Sequence, residues 1–556
     1  MNSPVTKYGK FVSSNEFGSW LWTPQTVPWW GPSAYGDSMA TTAYSNARPA
    51  AETQTPDFTE TPTFTVAEVV GLPFNRAQSD PNGPCLSWPD GRLVNSEFAA
   101  AVAATAQTLR DRHGITRGSV VGVLLRNVPE LITTMFATWS LGAALTPINP
   151  SLTDDEVRFQ LTDSGAAALV GEDRAEGLAA DSGLGFLSVT DDCFRPAPGA
   201  DFGDAPDGSD VRDDDAGLIV YTSGTTGKPK GCVLEQSSLA AMVWALATGL
   251  DHGDDVRSLL VLPLFHCNGL LAGTVNPLML GGSVHVLPKF DHKTFWDVVE
   301  AERPTFFSAV PTIFSVLEAQ TTREVDASSL RYVICGAAPM SKGAIARFQS
   351  KFDVDMVEGY GLSECSVCAT LNRNDGTAKP GTVGPALPGF EIGIKDPDGN
   401  LLPAGETGEV VIASRTIMRG YLGRPEATAE VLRHGWLHTG DVGFLDEDGY
   451  LTLVDRIKDL IIRGGENIYP KEIEDALLGH DQVVEAAVVG DPDEKYGEIV
   501  VAHVALREGA TTTEAELLDY LTPKLARYKL PTTIRLRDGL PKNSVGKIVK
   551  GELRRA

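Results

Sequence analysis

Cysteine is scarce in this chain: seven among 556 residues, at Cys85, Cys193, Cys232, Cys267, Cys335, Cys365 and Cys368. So few, at such irregular spacing, exclude a disulfide scaffold. Cys365 and Cys368 form a single C-x-x-C with no second pair and no histidine beside it, which is a poor zinc site. The set reads as buried, reduced thiols in a cytoplasmic protein. Basic charge is also short. Lys and Arg number 47 against 73 Asp and Glu, a net charge of −26, which argues against nucleic acid or an anionic membrane as partner. Local basic sites for phosphates are still compatible with it. Long apolar runs are missing too. The most apolar stretch, 258–287, is broken by Pro263, His266, Asn268 and Pro277, so it reads as core rather than a membrane span. Trp20, Trp22, Trp29 and Trp30 are interrupted by prolines, and no secretory leader is expected.

What remains is an ordinary globular composition, 42% hydrophobic and 22% charged, in a chain long enough for three or four packing units. Residues 1–61 are rich in Ser, Thr, Pro and Ala without steady periodicity and read as a Trp-rich, flexible extension. The first clear fold signal is a helical spacing over 96–112 through Phe98, Val102 and Leu109. A strand is expected at 120–125, a helix at 129–141 opened by Pro129, and a strand at 144–148. A capping box of Thr153 and Glu156 opens a helix to about 164, and a strand follows at 167–170. Alternating strands and helices imply a parallel sheet with crossover helices. Residues 172–216, rich in Gly, Asp and Pro, read as a surface loop or linker. Strand and helix patterns resume to about 380. Residues 381–450 then change to short β-rich segments with turns, an antiparallel or barrel-like unit. A compact αβ pattern closes the chain: helices at 470–478 and 513–521, strands at 483–489 and 499–506.

An apolar strand at 217–221 runs into Thr222-Ser223-Gly224-Thr225-Thr226-Gly227-Lys228-Pro229-Lys230-Gly231. Small residues admit an anion to the backbone N–H groups, hydroxyls donate further bonds, and lysines supply charge. The chemistry is that of a triphosphate cradle. It is not a Walker A loop, because only two residues separate Gly224 from Gly227 and Pro229 follows the lysine. Five further motifs follow: Pro263-Leu264-Phe265-His266, Gly336-Ala337-Ala338-Pro339, Glu358-Gly359-Tyr360-Gly361-Leu362-Ser363-Glu364, Gly435-Trp436-Leu437-His438-Thr439-Gly440-Asp441 and Asp455-Arg456-Ile457-Lys458-Asp459. Pro541-Lys542-Asn543-Ser544-Val545-Gly546-Lys547 completes them. Taken in order, the set resembles the adenylate-forming superfamily of acyl-CoA synthetases, luciferases and peptide-synthetase adenylation domains, and stand-alone acid–CoA ligases most of all. The resemblance runs from about residue 62 to the end.

That resemblance implies an α/β fold. A large domain, 62–457, would hold two doubly wound α/β subdomains and a small β-barrel-like subdomain. A small mobile α+β lid, 458–556, would hinge at Asp459. It implies attack of an acid on the α-phosphate of ATP, giving an acyl-adenylate and pyrophosphate, then transfer to CoA. The 222–230 loop, with Thr222, Ser223, Gly224, Thr225, Thr226, Gly227 and Lys230, would hold the β- and γ-phosphates. Glu364, with Thr226, would bind Mg2+, and Ser363 stands where relatives usually carry threonine. Gly336, Ala337, Ala338, Glu358, Gly359, Tyr360 and Gly361 would form the adenine pocket, with Tyr360 as a stacking face. Asp441 and Arg456 would contact the ribose. His266 would orient the acid, whose pocket would also draw on Cys267, Asn268, Val310, Gly336 and Gly361. Lys547 would bridge the acid carboxylate and the α-phosphate. Lys458, Gly464 and Gly465 would serve the CoA step. Cys267 and Asn268 favour a short or polar acid over a long-chain one, and an aryl acid fits as well.

The alternative acceptors are a carrier protein or an amine, and the alternative acids include small ones such as nitrous acid. A non-catalytic adenylate-binding protein is a third reading, opposed by the presence of His266, Glu364 and Lys547. A luciferase-like oxygenase is a fourth.

Overall fold

A computed structural model describes residues 64–196, 206, 208–222, 229–338, 340–464, 466–493, 495–542 and 548–554. The expected extension, 1–61, lies outside them. The fold is α/β, with a large N-terminal domain and a small C-terminal one. Four sheets organise it.

The first sheet has seven strands. In spatial order they are Gly420–Tyr421, Lys230–Glu235, Ala216–Thr222, Ala144–Ile148, Val120–Leu124, Ala168–Gly171 and Gly185–Ser188. The five from Ala216–Thr222 to Gly185–Ser188 run parallel. The expected helices appear almost to the residue, at Asn95–His113, Pro129–Ser140 and Asp154–Ser164. The Thr153/Glu156 capping box is formed, with Glu156 N–H donating to Thr153 Oγ1. One expectation fails. Residues 172–216 are not all loop: they hold the helix Asp173–Ser182 and the edge strand Gly185–Ser188. The helix is weakly patterned, with Gly177 inside it and only Ala175, Leu178 and Ala179 buried. Gly183 ends it at φ 68°. The ordered fold also begins well before residue 96, with helices Val66–Val70 and Leu72–Ser79 and the hairpin Pro84–Trp88/Gly91–Val94.

The second sheet has eight strands. Six of them run parallel, in the order Asp355–Tyr360, Tyr332–Cys335, Phe306–Ala309, Arg257–Leu260, Ser283–Val286 and Pro84–Trp88. A single apolar cluster fills the space between the two sheets, with Phe98, Phe136, Trp139, Leu239, Met242, Leu271 and Phe306 among its members. The 258–287 stretch is buried here, as its breaks imply. Among the described residues no helix is long and apolar enough to cross a membrane.

The third sheet is the expected β-rich unit: Phe390–Lys395, Gly408–Ser414, Trp436–Leu445 and Leu432–Arg433, with Leu451–Arg456 added to Trp436–Leu445. It is antiparallel throughout. The fourth belongs to the C-terminal domain. Val483–Asp493 and Gly497–Leu506 form its long hairpin, which helices Pro470–Leu478 and Glu514–Leu521 cover through Ile473, Leu477, Leu517 and Leu521.

Candidate active site

The residues singled out by sequence gather where strands end. Arg257–Leu260, Phe306–Ala309, Tyr332–Cys335 and Asp355–Tyr360 run side by side, and the segments leaving their C-terminal ends carry His266–Asn268, Val310, Gly336–Ala338 and Gly361–Glu364. Open α/β sheets bind ligands at that edge.

The hydroxyl-rich loop is the turn of a hairpin. Thr222 pairs with Lys230 at its mouth, so strand leads to strand, not to a helix as in a P-loop. Ser223, Gly224, Thr225, Thr226 and Gly227 lie outside the described residues, as does Lys228. Around the mouth, Lys230 Nζ stands 4.9 Å from the centre of the Tyr421 ring, a cation–π contact. The Tyr421 hydroxyl donates to Glu364 Oε1 at 2.7 Å. Lysine, tyrosine and glutamate thus form one chain of contacts. Tyr421 was not singled out by sequence. It reaches the site because Gly420–Tyr421 pairs with Val233 and Cys232 beside the hairpin. The tyrosine behind a glycine in an isolated two-residue strand was its only signal.

Glu364 is fixed by tight backbone geometry. It lies in the 3-10 turn Ser363–Cys365. Ser366 follows at φ 72°, ψ −57°, with Val367 N–H donating to Cys365 O at 3.0 Å, which makes a γ-turn of the strained, positive-φ kind. Ser366 Oγ donates to Thr416 O at 2.7 Å and holds that conformation. Among the described residues, Tyr421 is the one hydrogen-bond donor to the Glu364 side chain, which leaves Oε2 available. A carboxylate with one oxygen tied and one open, beside a hydroxyl-rich turn, suits a hard cation such as Mg2+. Cys267 is turned toward this corner. Its buried thiol lies near the Ser363 side chain and the Glu364 carboxylate. The Cys267 side chain thus lies close to Glu364.

Asp441 occupies a second corner. Glu409 pairs with Val442 while Val411 pairs with His438, so residues 439–441 bulge opposite the single residue 410. Gly440 takes φ 70° in that bulge, and its N–H donates to Glu409 Oε1. Bulges re-aim side chains, and here Asp441 is turned inward. It is 5% exposed. The Tyr360 hydroxyl donates to Oδ2 at 2.6 Å, and Arg456 Nε reaches Oδ1 at 2.8 Å. Each oxygen keeps a further lone pair for a ligand hydroxyl. The Tyr360 ring packs among Cys365, Ala369, Ile394 and Val410, and its hydroxyl anchors Asp441.

Between these corners the small residues open space. A Cβ added at Gly336 would meet nothing nearer than Gly359 O at 3.9 Å. Ala337 takes φ 67°, an unfavourable left-handed conformation for a residue with a Cβ. Gly359 and Gly361 are small for a different reason. A Cβ at Gly361 would lie 2.2 Å from Val367 O, and one at Gly359 2.8 Å from Leu371, so both serve close backbone approach. Glu358 lies behind them, its carboxylate accepting from Gly381 N–H at 3.2 Å. Burial pushes its pKa up to about 7, against the Gly381 N–H and the nearby Lys471 and Lys342, which favour the anion.

His266 ends the segment that follows strand Arg257–Leu260. Asn127 pins that segment, donating to Leu262 O and accepting from Leu264 N–H. Burial lowers the His266 pKa to about 4, so the imidazole is neutral at pH 7. Its Nε2 is buried with no hydrogen-bond partner among the described residues, as is Oδ1 of Asn268. Asn268–Val275 is a π-helix, a form common at functional sites. Val310 caps the helix Pro311–Gln320 and is half-buried.

The C-terminal domain meets the site through the 3-10 turn Ile457–Asp459. Burial and the neighbouring Arg456 lower the Lys458 pKa. Arg554 Nη2 reaches both Lys458 O and Asp459 Oδ1 at 3.4 Å. Gly464, at φ 61°, sits exposed at the tip of the hairpin Ile461–Arg463/Glu466–Ile468. Gly465 and Lys547 lie outside the described residues. The bridge between Lys542 and Ile548 closes the loop that carries Lys547.

All seven cysteines are free and buried. Burial pushes every thiol up: Cys193 to about 11, Cys85, Cys267 and Cys368 to about 12, and Cys232, Cys335 and Cys365 well above the ordinary range.

Comparison with known proteins gives the family. The AMP-binding enzyme family matches residues 74–422, and the AMP-binding enzyme C-terminal domain matches 472–547. A feruloyl-CoA synthase of Amycolatopsis sp is 38% identical over 87% of this chain and 98% of its own length. A long-chain-fatty-acid–CoA ligase of Mycobacterium tuberculosis is 36% identical over 84% of this chain and 93% of its own. Among solved structures, ATP-bound MatB from Rhodopseudomonas palustris superposes with a TM-score of 0.82 at 32% identity, covering 88% of this chain and 98% of that one. The o-succinylbenzoate CoA synthetase of Bacillus subtilis, in complex with its acyl-adenylate intermediate, gives 0.79 at 30% identity over 87% and 98%. On the match of both domains, the chain belongs to the AMP-binding enzyme family.

Proposed function

We propose that the protein activates a carboxylic acid with ATP and transfers it to CoA, and that the residues described above carry both steps. It is an AMP-forming acid–CoA ligase that uses ATP, Mg2+ and CoA. A carboxylate oxygen attacks the α-phosphorus, the bond to pyrophosphate breaks, and acyl-AMP remains. The sulfur of CoA then attacks the acyl carbon, AMP leaves with the C–O bond electrons, and the thiol proton passes to solvent. The observation that carries the residue assignment is the Lys230–Tyr421–Glu364 chain at the mouth of the 222–230 hairpin.

In-line transfer at phosphorus requires positioning and charge neutralisation above all. Thr222, Lys230 and the turn between them receive the β- and γ-phosphates. Glu364 and Thr226 would hold Mg2+, which when bound neutralises phosphate charge. Asp441, oriented by Tyr360 and Arg456, accepts the ribose hydroxyls. Ala337, Ala338 and Glu358 border the base beside the open space at Gly336. Neutral His266 offers a ring nitrogen to the acid carboxylate without trapping it as an ion pair. Lys547 bridges that carboxylate and the α-phosphate, where negative charge concentrates in the transition state. Lys458 and the hairpin of Gly464 and Gly465 serve the second step, after the lid turns about Asp459. The buried, reduced thiols fit a cytoplasmic location.

Pyrophosphate release and acyl-CoA formation over a panel of acids, with and without CoA, test this. The expected result is ATP-dependent, CoA-dependent thioester formation, with Lys547→Ala lowering pyrophosphate release by about 100-fold or more while ATP still binds. Wild-type release by that variant would refute the lysine's role. Product formed only with a carrier protein or an amine would redirect the second step.

A further inference from the structure

We propose that Glu409 is a positioning residue for ATP: together with His438 it clamps the bulge that aims Asp441 at the ribose. The inference rests on the reading that Asp441 accepts the ribose hydroxyls, and it adds the residues that hold that carboxylate in place. Strand Gly408–Ser414 has two unlike faces. Val410 and Ile412 pack with Tyr360 on one, and Val411 and Ala413 pack with Trp436 on the other. Side chains alternate along a strand, so Glu409 stands with Val411 on the Trp436 face, and so does His438, two residues past Trp436. Asp441 bonds Tyr360 from the opposite face. Glu409 and His438 are therefore placed to act on the nucleotide through Asp441.

The bulge needs such a clamp. Three residues, 439–441, lie opposite the single residue 410, and residues in excess of the ladder lose its regular hydrogen bonds. Other contacts replace them. Gly440, at φ 70°, donates its N–H to Glu409 Oε1 at 3.2 Å. His438 Nδ1 lies 2.7 Å from Glu409 Oε2. Thr439 Oγ1 donates to Val410 O at 2.7 Å and accepts from Asp441 N–H at 3.0 Å. One carboxylate thus grips both the residue before the bulge and the peptide at its tip, with Arg433 Nη2 3.8 Å from Oε2 as a counter-charge. Hydrogen bonds to an ionised group are about twice as strong as neutral ones. Tyr360 and Arg456 orient the Asp441 side chain; Glu409 and His438 fix the backbone that carries it. A hydroxyl meets a carboxylate only within about 2.5–3.0 Å, so a bulge that relaxes by about 1 Å forfeits the contact. This gives a task to His438, the one ionisable residue of the 435–441 motif besides Asp441.

The test measures dissociation constants of the full-length enzyme for ATP, 2′-deoxy-ATP and 3′-deoxy-ATP, each with Mg2+ and without acid, by titration calorimetry. Wild type should bind ATP about 10-fold or more tightly than at least one deoxy form, since a hydroxyl bonded to a carboxylate is lost. Asp441→Ala should bring that ratio close to one. Glu409→Ala should shrink it by about 3-fold or more, weakening ATP while the deoxy form binds nearly as to wild type. A merely structural role would weaken all three nucleotides alike and leave the ratio in place. Should Glu409→Ala show no cooperative thermal unfolding, His438→Phe, which keeps a ring and removes the Nδ1 contact, replaces it with the same expectation. An unchanged ratio in the folded variant overturns the proposal, and so does an equal loss of affinity for all three nucleotides. If Asp441→Ala flattens the ratio and Glu409→Ala does not, the ribose reading stands and this one falls. A wild type that binds all three nucleotides equally would remove both.

Discussion

At the scale of single residues, Glu358 makes a measurable claim. Its pKa is raised from 4.5 to about 7 by burial. A carboxyl raised in this way stabilises the fold fully below its unfolded pKa, and that stability is lost as pH climbs through the folded value. The loss is on the order of 3 kcal/mol at 1.36 kcal/mol per pH unit. Relative to Glu358→Gln, the wild type should therefore lose stability between about pH 4.5 and 7 and stay level above that, in urea melts at a series of pH values. His266 works in the opposite sense. With its pKa lowered from 6.5 to about 4, its contribution is present above 6.5 and fades as pH falls. It is common to both proteins and cancels in the difference. A difference that does not change with pH would mean that Glu358 is not buried as described. Residues were legible from sequence as chemistry but not as direction. Cys267 and Tyr360 were both marked by their motifs, yet not that the one lies close to Glu364 and the other spends its hydroxyl on Asp441. Tyr421 was invisible because its contact with Glu364 spans 57 residues and depends on a strand pairing.

At the scale of elements, the site is built from short irregular pieces set on regular ones. The left-handed Ala337, the γ-turn at Ser366, the bulge at 439–441 and the π-helix all lie at strand ends or within the strand that carries Asp441. Such strain persists only where the surroundings enforce it. Ala337→Gly should relieve it and raise stability by up to about 1 kcal/mol, part of the gain being offset by a more flexible unfolded chain. Ala337→Val should lower stability by about 1–2 kcal/mol, since a β-branched residue resists positive φ more strongly. Denaturant midpoints of the three proteins give the order. Regular elements were the legible part. The helices Asn95–His113 and Pro470–Leu478 announce themselves through apolar spacing and a proline start. The helix Asp173–Ser182 did not, because its buried stripe is only three residues and its acids and glycine resemble a linker.

At the scale of the whole molecule, the chain passes from the large part to the small one through a short turn, Ile457–Asp459, which Arg554 ties to the last helix segment, and Lys471 N–H donates across to Asp455 Oδ2. If the C-terminal domain reorients there between half-reactions, fixing the backbone at that turn should separate them. Asp459→Pro should keep pyrophosphate release close to wild type and slow acyl-CoA formation by about 10-fold or more. Equal loss of both would count against a hinge. The order of domains was readable because the motifs are spread along the chain in sequence. The facing of the lid was not, since it depends on which of its surfaces is turned in.

The burial of the thiols has a consequence for such a reaction. A mixed anhydride with AMP acylates any good nucleophile within reach, and so, more slowly, does the thioester that follows. Nucleophilic attack by cysteine needs the thiolate. With all seven sulfurs enclosed and their pKa values pushed up by burial, including Cys232 and Cys267 beside the Glu364 carboxylate, the protein's own thiols offer its product no trap. The incoming cofactor's sulfur then has no competitor of its own kind.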